Sequence, residues 1–582
     1  MGRVNRVAGL PRLLLSAAIL AAVALAACSR PAPPSPPKVE PGKSIDWWMS
    51  HLTLEEKVGQ LFWFGLKDPS MGPETEQLIR EGMAGGFILF ARQGSDPEVL
   101  RELTGSMQAL SQGRGRLSPG LVISADHEGG LVQRWLEPFT PWPGNMAIGA
   151  TRSTAYADQV AAAMAEELLA VGVNMNLSPV ADVNNNPANP VIGIRSFGED
   201  PGAVARFVPA AIKGAQSRQL SAVAKHFPGH GDTDLDSHKA LPAVNHPMTR
   251  LEAVELVPFQ KAIEAGVDAI MTAHVIFPAV EPDGLPATLS PSVIQGLLKD
   301  KLGFQGVVMT DAIDTMKAIT DHYGTEKGIV MAVQAGADAV LVTESYGRQA
   351  ALHDVLLEAV KSGQVSEERL NDAVRRQLAL KAKRGLLPDT GPNAGKGLAA
   401  PAEALGTEAH RQLAFRVGAE ALTLVRNKHL PLKLAPEQQL LVVGPAYGAA
   451  PALSAGISEQ HANMTEVRVD RKLTPAQADT VRTASAGAAA VVYGVYNGHK
   501  YPEHQALIRR LIATGKPVLV VGLGEPYDLT ELPEIQTYIA AYGYQSTNLQ
   551  GVGALLFGTA SPGGKLPVSV PGLYPIGHGL SF

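Results

Sequence analysis

Short, uninterrupted apolar runs recur along the first two-thirds of the chain, and most are separated by stretches of helical periodicity. The runs cover residues 61–64, 87–90, 121–125, 173–177, 222–225, 269–272, 306–310 and 339–342. An apolar run without alternation reads as a strand buried on both faces, as in a parallel sheet covered by helices. Residues 156–171 and 202–216 have the periodicity of such helices, and Thr53-Leu54-Glu55-Glu56 has the form of a capping box. Eight strand–helix units predict a closed (β/α)8 barrel. That prediction carries its own test, because the active residues of such barrels sit at the carboxyl ends of strands. Asp126, Lys225-His226, His274 and Asp311 fall at or just past those ends, and Arg195 lies further out on the loop after the fourth strand.

Residues 389–401 are rich in Gly, Pro and Ala and read as a linker. Beyond them the pattern restarts, with a helix expected over 403–420. Strands are expected over 421–425, 440–443, 489–493, 517–521, 537–541 and 554–557. The expected organisation is a barrel over 45–388 and a second domain over 402–582. No G-x-x-x-x-G-K-[ST] occurs, and Gly522-Leu523-Gly524 is too short for a dinucleotide fingerprint. No nucleotide cofactor is therefore expected.

Composition narrows the class. The chain has 582 residues, 45% hydrophobic and 18% charged, which is ordinary for a globular protein with ample core. A net charge of −5 offers no basic patch for nucleic acid.

The first 27 residues read as a targeting segment. Arg3, Arg6 and Arg12 precede an apolar run of about 15 residues from Leu13 to Ala27, short for a membrane span of roughly 20. The run ends Leu25-Ala26-Ala27-Cys28, which resembles a bacterial lipobox. That resemblance implies cleavage before Cys28, lipidation of Cys28, and an exported protein anchored on the outer face of a bacterial membrane. Cleavage would remove those three arginines and no acid, taking the net charge from −5 to −8. Cys28 is the only cysteine, so neither an intramolecular disulfide nor a thiolate catalyst is available to the folded part. Residues 28–44, with six prolines from Pro31 onward, read as a stiff spacer.

The densest chemistry lies in Lys225-His226-Phe227-Pro228-Gly229-His230-Gly231-Asp232-Thr233-Asp234-Leu235-Asp236-Ser237-His238. Glycine and proline forbid a helix there, so a strand opens into a loop displaying imidazoles and carboxylates. Such groups move protons near neutral pH or bind a metal. Asp232, Asp234 and Asp236 alternate as in a calcium loop, but the required sixth and twelfth positions hold Ser237 and Ala243. His226, His230 and His238 could serve zinc, although no HExxH helix is present. Proton transfer without a metal is the favoured reading.

This loop resembles the acid/base loop of glycoside hydrolase family 3, in its β-N-acetylglucosaminidase branch. Four more segments match in order. They are Asp126-His127-Glu128-Gly129-Gly130 with Gln133-Arg134, 176–187, Ile192-Gly193-Ile194-Arg195-Ser196-Phe197-Gly198-Glu199-Asp200-Pro201, and Gly306-Val307-Val308-Met309-Thr310-Asp311-Ala312. His127 stands where the family more often has Gln. The resemblance implies a barrel followed by a smaller α/β/α sandwich. It assigns Asp311 as the nucleophile of a retaining reaction and His238, partnered by Asp236, as acid/base. It implies that Asp126, Arg134, Arg195, Lys225 and His226 bind the sugar. The alternative for each of these is a structural ion pair, and for Asp311 a helix cap. The implied substrate is terminal β-linked N-acetylglucosamine on peptidoglycan fragments or chitin oligomers. Rival readings are a phosphorylase or β-glucosidase of the same fold, or an inactive lipid-anchored sugar-binding protein.

Overall fold

The computed structural model describes residues 44–582 apart from 114–117, 389–400 and 448–450. The expected signal segment, Cys28, nearly all of the proline-rich spacer and nearly all of the interdomain linker thus lie outside the described residues.

Eight parallel strands close a barrel. They are β1 (Phe62–Gly65), β2 (Gly86–Leu89), β3 (Val122–Ala125), β6 (Met175–Asn176), β7 (Ser221–Phe227), β8 (Ala269–Thr272), β9 (Val307–Ala312) and β10 (Ala339–Val342). Their neighbour order is β1-β10-β9-β8-β7-β6-β3-β2, with β2 returning to β1. A small antiparallel ribbon, β4 (His127–Gly129) with β5 (Val132–Gln133), follows β3. The sequence runs are apolar throughout because both faces of each strand are covered. Trp63, Ile88, Val122, Val223, Met271 and Met309 fill the barrel interior. Phe62, Phe64, Phe87, Ile123, Ile270 and Val308 face the surrounding helices. The Thr53 capping box forms, with Glu56 N–H donating to Thr53 Oγ1 and Thr53 N–H to Glu56 Oε2. The helices expected over 156–171 and 202–216 are Thr154–Ala170 and Pro201–Ser217.

The second domain is one mixed sheet. Its strands are β11 (Thr423–Arg426), β12 (Leu440–Pro445), β13 (Met464–Val469), β14 (Ala490–Val495), β15 (Val518–Gly522) and β16 (Thr537–Ala540), in the order β11-β16-β15-β14-β12-β13. Only β11 runs antiparallel, against β16. Two sequence expectations fail here. The run over 554–557 is not a strand but the end of helix Gly551–Phe557, closed by Gly558 in the left-handed region. A short apolar run cannot by itself separate a buried helix from a strand. Strand β13 was not expected because it is an edge strand, mostly half-exposed, with no continuous apolar run. The helix expected over 403–420 is broken, with Thr407 capping a fresh start at Glu408–Ala421.

The two domains share a core. Met146, Ala147 and Ala150 from the short helix Asn145–Thr151, and Ile194 from the turn Gly193–Arg195, join the apolar cluster of the sandwich. Burial at about 25 cal/mol per Å2 of apolar surface makes such a shared core favour a fixed docking.

Candidate active site

Three neighbouring strand ends build the floor of the mouth. Barrel closure sets β3 beside β6 and β6 beside β7, so residues about a hundred positions apart become neighbours. Lys225 Nζ, at the end of β7, lies 2.7 Å from Asp126 Oδ1 and 2.8 Å from Glu128 Oε1. Arg134 reaches the other oxygen of Asp126 at 2.5 Å. Arg195 grips Glu128 with two parallel hydrogen bonds of 3.0 and 2.8 Å. Burial opposes ionisation of these acids, but the cations outweigh it. Asp126 is held far below the usual carboxylate range, and Glu128 is lowered to about 2. Burial likewise opposes the charge on Lys225 and Arg195, yet the carboxylates raise both above their ordinary values.

The expected sugar-binding cations are therefore gathered in one network, each with a carboxylate partner. Lys225 is almost wholly buried by it, whereas Arg134 and Asp126 keep 27% and 17% of their side chains open. Two carboxylates to which the sequence reading gave no role complete the arrangement. One is Glu128. The other is Asp182, which accepts from the backbone N–H of His230 at 2.7 Å and contacts His226 Nδ1 at 2.7 Å. Their positions inside the matched segments were the available signal.

Asp311 stands at the end of β9 with 22% of its side chain open. His226 Nε2 is 4.0 Å from its Oδ2, and the Ala312 N–H donates to its Oδ1 at 2.7 Å. Burial pushes its carboxyl up, but His226, His274 and that N–H outweigh burial and leave it below the ordinary value. His274 is itself buried, which lowers it to about 4. It is fixed by Thr288 Oγ1 at 2.8 Å and the Ala312 carbonyl at 3.3 Å. Asp311 caps no helix, since the next one starts at Lys317 behind Met316. Asp314 is instead structural: it accepts from the N–H groups of Thr343, Glu344 and Ser345 in the loop after β10.

The histidine loop is pinned at its base and open at its tip. Asn189 donates to the carbonyls of His230 and Gly231 at 2.8 and 3.1 Å. The His230 ring spans Thr233 Oγ1 at 2.9 Å and Ser237 Oγ at 3.0 Å, and burial lowers it to about 4, so it braces the loop as a neutral group. Gly231 has no room for a side chain, because a Cβ there would meet the Val183 carbonyl at 1.8 Å. Asp232 is committed to His246 at 2.7 Å and Arg250 at 3.4 Å. At the tip, His238 Nδ1 lies 2.8 Å from Asp236 Oδ1, and the His238 side chain is 58% exposed. Burial pushes the carboxyl of Asp236 up, but the N–H and imidazole of His238 outweigh it and leave the group below its ordinary value. Among the described residues, no three His, Cys, Asp or Glu side chains converge as a metal would require.

A closed barrel with ionised carboxylates, paired cations and an exposed imidazole at its carboxyl mouth is the kind of scaffold that enzymes use. Comparison with known proteins gives the family. Residues 53–380 match the glycosyl hydrolase family 3 N terminal domain and residues 422–574 its C-terminal domain. The chain belongs to glycoside hydrolase family 3. It is 30% identical over 559 residues to Beta-hexosaminidase A of Pseudoalteromonas piscicida, covering 86% of this chain and 92% of that one. A Beta-hexosaminidase of Neisseria meningitidis is 37% identical over 276 residues, 46% of this chain and 74% of that one. Among solved structures, a family 3 beta-N-acetylglucosaminidase from Paenibacillus sp. aligns with a TM-score of 0.83 at 39% identity. That alignment covers 89% of this chain and 99% of the other.

Proposed function

We propose that this protein is a retaining exo-β-N-acetylglucosaminidase that releases terminal β-linked N-acetylglucosamine from peptidoglycan fragments or chitin oligomers. Relatives named as hexosaminidases, similar across both domains, support the substrate class. The observation that carries the mechanism is the Asp236–His238 hydrogen bond on a loop otherwise pinned to the barrel.

In the first step the Asp311 carboxylate attacks the anomeric carbon while His238, protonated, gives its Nε2 proton to the leaving oxygen. The glycosidic C–O bond breaks as the aspartyl ester forms. Asp236 holds Nδ1–H and stabilises the imidazolium before transfer. In the second step the now neutral His238 takes a proton from water, and that water displaces Asp311. The Asp126–Lys225–Glu128–Arg195 network holds the sugar hydroxyls. We also propose export and lipidation at Cys28, supported by Leu25-Ala26-Ala27-Cys28.

The experiment is hydrolysis of a nitrophenyl N-acetyl-β-glucosaminide with and without phosphate, following the first-formed anomer by NMR. Release of β-N-acetylglucosamine independent of phosphate is expected. The α-anomer, or a phosphate-dependent sugar phosphate, would overturn the reading.

A further inference from the structure

The carboxyl ends of the sandwich strands hold a second cluster that the proposed chemistry does not use. The chain winds from β12 to β13 on one side of the sheet, but β14, β15 and β16 extend on the other. Winding therefore reverses between β12 and β14, and ligands of open α/β sheets bind in the crevice beyond the carboxyl ends at such a reversal. Tyr447 follows β12, Arg471 follows β13, Tyr496 follows β14, Glu525 follows β15 and Tyr544 follows β16. Five loops far apart in sequence thus supply one cluster.

Its geometry is that of an aromatic cradle around a cation. Tyr544 meets the rings of Tyr447 and Tyr496 edge-on at 5.9 and 5.7 Å. The Arg471 guanidinium lies 5.0 Å from the ring centre of Tyr447 and 4.5 Å from that of Tyr496. Arg471 is exposed, and the groups acting on its charge are tyrosines. Among the described residues it has no carboxylate at ion-pair distance. The one acid in the cluster, Glu525, is already neutralised by Lys500 at 2.7 Å and held by Asn497 at 3.0 Å.

The cluster also abuts the barrel mouth. Glu525 is 3% exposed, and its Oε1 has no hydrogen-bond partner among the described residues. That oxygen lies 2.9 Å from where a Cβ on Gly193 would stand, two residues before Arg195. Gln545, next to Tyr544, donates to the Gly130 carbonyl in the turn between Asp126 and Arg134. Both barrel loops that carry the sugar-holding pairs therefore rest against the loops of this cluster.

We propose that this cluster is a leaving-group subsite, and that it favours an aglycone bearing a carboxylate. The inference rests on the function proposed above and narrows its substrate. The half-buried rings of Tyr447 and Tyr544 offer apolar surface to the C–H groups of a saccharide or peptide. A guanidinium without a counter-ion is built to receive a carboxylate through two parallel hydrogen bonds. Peptidoglycan fragments carry such groups on their lactyl and peptide arms; chitin oligomers are neutral. A solvent-exposed ionic contact of this kind is weakened by salt.

The test compares three substrates on the full chain. They are nitrophenyl N-acetyl-β-glucosaminide, chitobiose, and N-acetylglucosamine β-1,4-linked to a muramyl dipeptide. In Arg471→Ala, the ratio of kcat/KM for the muramyl substrate to that for chitobiose should fall about tenfold or more, with the loss of the charge-assisted contact. Arg471→Lys should recover part of that ratio, and added salt should lower it in the wild type but not in Arg471→Ala. An unchanged ratio in Arg471→Ala would overturn the inference while leaving the glycosidase reading intact. Equal loss on all three substrates, with a lowered Tm, would also overturn it by making Arg471 structural. If the wild type cleaves none of the three, the proposed function falls and this inference falls with it.

Discussion

Asp182 holds one nitrogen of the His226 ring at 2.7 Å, while the other nitrogen faces Asp311 at 4.0 Å. A carboxylate fixed to Nδ1 makes that nitrogen the donor and orients the ring. Asp182 also takes the backbone N–H of His230, so one buried acid ties the histidine loop to the neighbour of Asp311. Asp182→Asn should keep the fold but allow the ring to turn, lowering kcat/KM about a hundredfold through misplacement alone. Steady-state kinetics with nitrophenyl N-acetyl-β-glucosaminide decides this. Activity within twofold of wild type would remove Asp182 from any positioning role.

Replacing Asp311, the proposed nucleophile, should be the most damaging change. Asp311→Asn is expected to lower turnover by several orders of magnitude, about 1,000-fold or more, while melting like the wild type, because the site is polar and partly open. Turnover retained above about a tenth would show that another group attacks the sugar.

The proposed acid/base pair, Asp236 and His238, should reveal itself through leaving groups. A good leaving group needs little proton donation, so His238→Ala should hurt chitobiose far more than nitrophenyl N-acetyl-β-glucosaminide. Asp236→Ala should give the same pattern, and the double variant should lose little more than either single one. The measurement is kcat/KM against leaving-group pKa for a series of aryl glycosides. If the slope in His238→Ala equals that of wild type, His238 is not the donor. Asp234, exposed on the same loop, would then be the next candidate, since Asp232 is already paired with His246.

Acid should loosen the mouth through Glu128. Its pKa is lowered from 4.5 to about 2, so its stabilisation is complete above pH 4.5 and is lost as pH falls through about 2. A shift of that size corresponds to about 3 kcal/mol. Glu128→Gln should lower stability at neutral pH, because Lys225 and Arg195 lose a partner, and should flatten the acid limb of the stability curve. Urea midpoints from pH 7 down to pH 2 for both proteins test this; parallel curves would contradict it.

The proposed lipid anchor is tested at the other end of the chain. Wild-type protein expressed in a bacterial host should partition into detergent, and Cys28→Ser should not. Mass spectrometry showing an unlipidated mature N-terminus at Ser29 or beyond would rule lipidation out.

The sequence by itself determined the positions of the eight barrel strands, because a strand covered on both faces needs apolar residues at consecutive positions. It also located Asp311 and the histidine loop, since both fall where such strands end. It could not say that Trp63 points into the barrel while Phe62 and Phe64 point out, because all three are equally apolar. It read 554–557 as a strand and overlooked β13, since short runs and half-exposed edges carry weak local signals. The charge network was beyond it for a different reason. Asp126 and Lys225 are 99 residues apart, and nothing local to either marks the other as its partner. Closure of the barrel, which sets β3, β6 and β7 side by side, decided that pairing and with it the roles of Glu128 and Asp182. Asp126 and Glu128 stay ionised there although burial opposes it, because a carboxylate taken out of water keeps its charge where cations meet it.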